Sequence, residues 1–201
     1  MRNEKKERIK EIFYANHGYS STGDISSAGI DRRYLKDLVN EGNIERIKRG
    51  LYRWKDAKFD VEEELVNVSK IIPHGVICLV SARSDYELTT YTPGKYTVAV
   101  HRKYNIKLPD HPPIKLYYFS DKYYMDGVEK IDINGNIIKI YNIEKTICDC
   151  LRYGSKISKD IIVESIKEYV RRKDKNISKL MNYAAKAKVK DVVQKYIEVL
   201  I

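Results

Sequence analysis

Glycines stop the start of this chain so often that they limit what it can fold into. Gly18, Gly29, Gly42 and Gly50 cut the first 55 residues into segments too short for a long helix or a broad sheet. Before Gly18, Ile9, Ile12 and Phe13 recur at i, i+3 and i+4, which predicts a helix over 5–17 with one apolar face. Gly18 stands where a left-handed residue ends such a helix. Ser21 or Thr22 then caps a very short helix around 23–28, and Gly29 makes a turn. Asp31 caps a third helix running to about Glu41, closed by Gly42. Residues 43–47 and 51–54 read as strands joined by a tight turn at Lys48-Arg49-Gly50. Three short helices followed by a hairpin is the arrangement of a winged helix-turn-helix.

The remainder changes character. Residues 56–63 read as a linker, and a helix that starts there runs to Lys70, ahead of Pro73. Residues 96–100 and 114–119 are strand-like and are separated by a proline-containing loop at 108–113. Residues 132–138 form a hairpin, with Asn134-Gly135 suited to a type I′ turn. From Ile143 onward the apolar sets Ile143/Ile147/Leu151, Ile162/Ile166/Val170 and Val192/Val193/Tyr196/Ile197 predict helices. The expected fold class is α+β. An N-terminal winged helix-turn-helix domain over 1–58 is followed over 59–201 by a mixed domain with a small β-sheet and a helical tail. There is no internal repeat and no low-complexity tract.

Several function classes are excluded at this level. No apolar run approaches the roughly 18–20 residues of a membrane span. The charged start Met1-Arg2-Asn3-Glu4-Lys5-Lys6-Glu7-Arg8 leads into no apolar stretch, so a secretory signal is not expected. Three cysteines, Cys78, Cys148 and Cys150, do not make a disulfide scaffold, and a reducing cytoplasm is the expected location. The 38 Lys and Arg against 28 Asp and Glu leave a net charge of +10, which points weakly toward nucleic acid or an acidic partner.

The charge is placed to more purpose than its total suggests. On the third helix Leu35, Leu38 and Val39 share one face, and Arg33, Lys36 and Asn40 the opposite one. Arg and Lys reach guanine O6/N7 and phosphates in a major groove, and Asn pairs with an adenine edge. Arg32 and Tyr34 sit at the helix edge. Asp37, on the same face and at i+4 from Arg33, either pairs with it or accepts from a cytosine amino group. Lys48 and Arg49 beside Gly50 follow a phosphate backbone or enter a minor groove. Ser21 and Thr22 stand before the second helix, whose N-terminus takes a phosphate through its N–H groups. From Asp31 to Lys55 there are eight Lys/Arg and four Asp/Glu. The bland alternative is a helical domain with an ordinary charged surface. Such units also serve as protein-interaction modules.

Residues 152–195 hold 13 Lys/Arg and five Asp/Glu, densest at Arg171, Arg172, Lys173, Lys186, Lys188 and Lys190. This is either a solvated helical face or a second basic surface for flanking DNA or an acidic partner. Tyrosine supplies 17 of the aromatic residues, and Tyr117, Tyr118, Tyr123 and Tyr124 cluster after the second middle strand, as buried packing or as a contact surface.

Candidate catalytic chemistry fails on its own requirements. Gly154-Ser155 before Lys159-Asp160 suggests a nucleotidyltransferase opening, but two metals need paired carboxylates and only Asp160 is present. A helix start with Ser158 as cap reads better. Cys148 and Cys150 point different ways on a helix and lack a second pair, so core packing, not metal, is expected. Asp85 and Glu87 near Lys95 read as surface charge. No cofactor and no metal are expected. The rival class, a nuclease or nucleotide-modifying enzyme behind a winged module, needs a carboxylate cluster that the sequence does not display. A third reading is a protein-binding module that never touches DNA.

The segments Gly23-Asp24-Ile25, Asp31-Arg32-Arg33-Tyr34-Leu35, Leu38-Val39-Asn40-Glu41-Gly42 and Ile44 to Tyr52 resemble the N-terminal domain of AbiEi-type antitoxins. Tyr141 to Cys150 looks like that family's helix after its β-rich region, and Asn176 to Leu200 looks like its tail, so the resemblance spans about residues 5–200. It implies a cytoplasmic antitoxin of a bacterial type IV toxin–antitoxin system linked to abortive infection by phage, not an enzyme. Its winged domain would bind inverted repeats of double-stranded DNA in its own promoter and repress the operon. Its C-terminal region would counteract a nucleotidyltransferase-like toxin, with direct contact left open.

Overall fold

A computed structural model describes residues 3–56, 61–86, 88, 94–133, 135–154 and 157–200. Residues 57–60 of the expected linker lie outside this range, as do Glu87, Asn134 and Ser155 and the side chain of Asp85. The fold is mixed α and β. It divides into two compact units, one of Met1–Pro73 with Lys107–Pro113 and Ile133–Asn136, the other of His74–Ile106, Ile114–Asp132 and Ile137–Ile201.

The first unit opens with α1 (Asn3–Ala15), β1 (Tyr19–Ser21), α2 (Thr22–Ser27) and α3 (Arg33–Asn40). The hairpin β2 (Ile44–Lys48) and β3 (Leu51–Trp54) follows, then α4 (Val61–Ile71). The expected hairpin gains a third strand, because β1 pairs antiparallel with β3 from Tyr19↔Arg53 to Ser21↔Leu51. A three-residue strand has no alternation to read, so only its partner reveals it. Ile9, Phe13, Ile25, Leu35, Leu38, Ile44 and Trp54 close the core, with the Phe13 and Trp54 rings edge to face at 5.6 Å. Composition disfavours α2, which holds one Gly and two Ser. A capping box offsets this: Asp24 N–H donates to Ser21 Oγ at 3.0 Å, and Ser21 N–H donates to the Asp24 carboxylate at 2.6 Å. Ile25 then buries the short helix.

Val39 departs from its expected place in the apolar stripe. It is 36% exposed, because the eight-residue α3 buries only the narrow line through Leu35 and Leu38. The cap of α3 also differs from expectation. Arg32 occupies the cap position and Asp31, one residue earlier, accepts the Arg33 N–H at 2.8 Å.

The second unit is built on a five-stranded sheet in the order β6-β5-β4-β8-β7. Its strands are β4 (Val76–Ile77), β5 (Tyr96–His101), β6 (Ile114–Phe119), β7 (Val128–Ile133) and β8 (Asn136–Tyr141). β5 and β6 run parallel, and β4 bridges β5 antiparallel to β8 parallel. The helices are α5 (Leu79–Asp85), α6 (Asp121–Met125), α7 (Ile143–Arg152), α8 (Lys159–Arg171), α9 (Ile177–Ala187) and α10 (Lys190–Leu200). Asn142 and Asn176 cap α7 and α9 through their side-chain oxygens. Ser158 holds the cap position of α8, but its hydroxyl makes no cap bond.

α7 is the axis of this unit. Every residue from Glu144 to Cys150 is buried, not only the stripe predicted from periodicity. Cys148 and Cys150 are therefore both buried free thiols in spite of their different directions. Lys145 and Asp149 are fully buried and pair at 2.9 Å. The ammonium lies 3.5, 4.2 and 5.0 Å from the ring centres of Tyr123, Tyr141 and Phe119, and the Tyr123 hydroxyl donates to Asp149. Burial pushes the lysine pKa down and the aspartate pKa up, and each partner's charge opposes the other's shift. Among the described residues no helix is long and apolar enough to cross a membrane.

Candidate nucleic-acid interface

The helix-turn-helix is set by local hydrogen bonds. Gly29, at φ +73°, turns the chain after α2, its N–H donating to Ser26 O at 3.0 Å while Ile30 N–H reaches Ile25 O at 3.1 Å. α3 then runs with Leu35 and Leu38 inward, so Arg33, Lys36, Asp37 and Asn40 are exposed, as is Arg32 beside its start. The structure thus brings Arg33, Lys36 and Asn40 onto accessible surface of α3, with Arg32 exposed at its cap.

Arg33 is 87% exposed and is not paired with Asp37. It pairs with Asp31, which receives its Nε–H at 2.9 Å and its Nη2 at 2.8 Å. Hydrogen bonds from the Arg33 side chain and backbone hold the Asp31 carboxyl below the usual aspartate range. Tyr34 is half-buried, with Lys5 Nζ donating to its hydroxyl at 3.0 Å. The ring therefore ties α1 to α3.

The wing departs from expectation at Lys48. Its ammonium is turned away from the tip and donates to the carbonyls of Ile71 at 2.7 Å and Lys70 at 3.3 Å, at the C-terminal end of α4. Unpaired carbonyls and the negative end of the helix dipole attract a cation there. Partial desolvation lowers its pKa. Arg49 is exposed beside Gly50, which turns at φ +80°. Arg46, which no motif or spacing in the sequence singles out, is a further exposed cation on β2. Its neighbours Glu45 and Arg53 pair at 3.1 Å across the hairpin.

Ser21 caps α2 as expected, and that cap bears on the phosphate role assigned to Ser21 and Thr22. Ser21 is spent in the capping box, and the Thr22 N–H donates to Gly50 O at 2.9 Å, fastening the wing tip to the start of α2. With the Asp24 carboxylate there as well, this helix start is poorly suited to a phosphate.

The second basic surface is partly neutralised. Arg171 pairs with Glu168 at 2.7 Å, Arg172 with Asp174 at 2.8 Å and Lys186 with Asp126 at 2.8 Å. Lys173, Lys188 and Lys190 are exposed. Of the clustered tyrosines Tyr118 is 51% exposed, whereas Tyr117 and Tyr124 are buried and Tyr123 is half-buried. Among the described residues no group of three His, Cys, Asp or Glu is placed to hold a metal ion.

Residues 7–54 match the family model described as a transcriptional regulator, AbiEi antitoxin. This segment, from α1 to the end of β3, holds the helix-turn-helix and the wing. No curated protein matches the chain. Among solved structures the chain is similar to the RV2827C protein from Mycobacterium tuberculosis, with a TM-score of 0.57 and 10% identity over 90% of this chain and 75% of that one. At that identity the likeness is one of fold.

Proposed function

We propose that this chain is a cytoplasmic repressor and antitoxin that binds duplex DNA through α3 and the wing. On this reading residues 1–58 bind inverted repeats in the chain's own promoter. Residues 59–201 serve to counteract a nucleotidyltransferase-like toxin of a type IV, abortive-infection system, and the chain is no enzyme. The observation that carries the DNA half is the exposed set Arg33, Lys36 and Asn40 on α3, within the segment that matches the antitoxin regulator family. Arg32, Arg46 and Arg49 supply cations around it, and these are suited to phosphates.

The test is a gel-shift and anisotropy series on duplex from upstream of the reading frame. Arg33→Ala is expected to weaken the preferred duplex by about 1–3 kcal/mol and to relax sequence preference. Binding that is indifferent to salt and to this substitution would refute the assignment. For the toxin half, the intact chain is expected to restore growth when co-expressed with a growth-arresting nucleotidyltransferase-like toxin taken from its own operon. Failure of the intact chain to do so removes that half.

A further inference from the structure

The geometry points to Asp31 as a positioning residue that braces Arg33 to read a guanine at the N-terminal end of α3. This rests on the DNA-binding reading above and adds a base identity and a second residue to it.

A guanidinium carries five N–H donors in one plane. Asp31 occupies one edge of that plane, since its Oδ2 receives Nε–H at 2.9 Å and Nη2 at 2.8 Å. Its other oxygen receives the Arg33 backbone N–H at 2.8 Å, which locks the carboxylate to the start of the helix. The end of the guanidinium, where Nη1 and Nη2 present two roughly parallel N–H groups, is left outward. Among the described residues no acceptor reaches Nη1. A parallel pair of this kind matches the O6 and N7 acceptors of guanine in the major groove.

Two further points favour a base over a phosphate. The Asp31–Arg33 pair carries no net charge, so it adds little to counterion release, which drives backbone binding. A carboxylate beside the fork also repels phosphate oxygens, whereas guanine O6 and N7 are neutral acceptors. Bracing also lowers the entropic cost of the contact. A surface arginine at 87% exposure must otherwise freeze its torsions when it binds, and Asp31 has restricted them beforehand. Arg33 is the first residue of α3, the part of a recognition helix that meets base edges.

Asp31→Asn keeps an oxygen to accept the Arg33 N–H but removes the charge that holds the guanidinium. Asp31→Ser does the same with a smaller group, and Arg33→Lys keeps the cation without the fork. The probe is a duplex selected by the full-length wild-type chain from a randomised pool, then remade with each guanine in turn replaced by 7-deazaguanine, which lacks the N7 acceptor. At one guanine the wild type is expected to lose about fivefold or more, the lower end for a bidentate arginine–guanine pair. In all three variants that penalty shrinks to within about twofold, as expected when the bidentate contact is gone. Affinity of Asp31→Asn for unrelated duplex does not fall, because a negative charge has been removed. A wild-type penalty that persists in both Asp31 variants overturns the inference while leaving the DNA reading intact. Equal weakening of every duplex, with helix content lost by circular dichroism, also overturns it and reduces Asp31 to a cap. If the wild type enriches no sequence, the DNA reading fails first and this inference falls with it.

Discussion

Replacing Lys145 by methionine removes the ammonium from a site with no solvent access and keeps most of its volume. Asp149 is then left fully buried with the Tyr123 hydroxyl as its remaining donor among the described residues. Breaking one side of a buried ion pair costs about 3–5 kcal/mol, a large share of the stability of a domain this size. The expected loss for Lys145→Met at neutral pH lies in that range. The cost also depends on pH. Burial already raises the Asp149 pKa above its ordinary 3.8, and losing Lys145 removes the main influence that lowers it. A carboxyl with a raised folded pKa contributes stability that is fully present below the unfolded value and is lost as pH rises through the folded value. Lys145→Met therefore becomes less stable from pH 4 upward, by up to about 1.4 kcal/mol per pH unit while Asp149 stays protonated in the fold. The double variant Lys145→Met/Asp149→Asn removes the buried charge and keeps an acceptor for Tyr123. It recovers at least about 2 kcal/mol of the loss and its pH dependence flattens. Urea unfolding followed by near-UV dichroism of the tyrosines measures this, since the single tryptophan, Trp54, lies in the other unit. A single-variant cost below about 1 kcal/mol, or the same cost at pH 5 and pH 8, would refute the reasoning.

The two cations of the wing tip are expected to behave differently. Arg49→Ala weakens all duplexes alike and lowers the salt slope by about one, as expected for one phosphate contact. Lys48→Ala leaves that slope within error and instead lowers stability by about 0.5–1.5 kcal/mol, because its ammonium bonds the end of α4. Salt titrations of both variants beside thermal melts separate the two roles. Gly127→Ala is expected to destabilise by about 2 kcal/mol or more, read by urea unfolding, from left-handed strain and a forced contact. Gly127 sits at φ +72°, and a Cβ there would lie 2.8 Å from the Tyr183 hydroxyl and 2.9 Å from both Asn142 Nδ2 and Lys145 Cδ.

Much of the first unit was legible because its determinants are local. Gly18, Gly29, Gly42 and Gly50 all adopt positive φ where the sequence placed the stops. The α2 cap works within three residues and the β2–β3 turn within a few more. The exposed face of α3 follows from periodicity alone. β5 and β6 were legible as well, and their parallel pairing was not, since alternation identifies a strand without naming its neighbour. Val39 lies outside the core although it shares the apolar direction, because periodicity sets a direction while burial depends on how wide a stripe the neighbours cover.

Local chain chemistry sets where short elements begin and end and which side of each is apolar, because capping, turn conformation and periodicity act within about four residues of chain. Tertiary structure alone decided the uses of the charged groups. Lys48 looks like a free wing cation until α4, 22 residues further on, offers its carbonyls. Lys145 and Asp149 form an i,i+4 pair that on most helices would lie in water. Packing around α7 puts this pair in the core, where desolvation opposes its mutual attraction, and no spacing within the chain records which surfaces will meet.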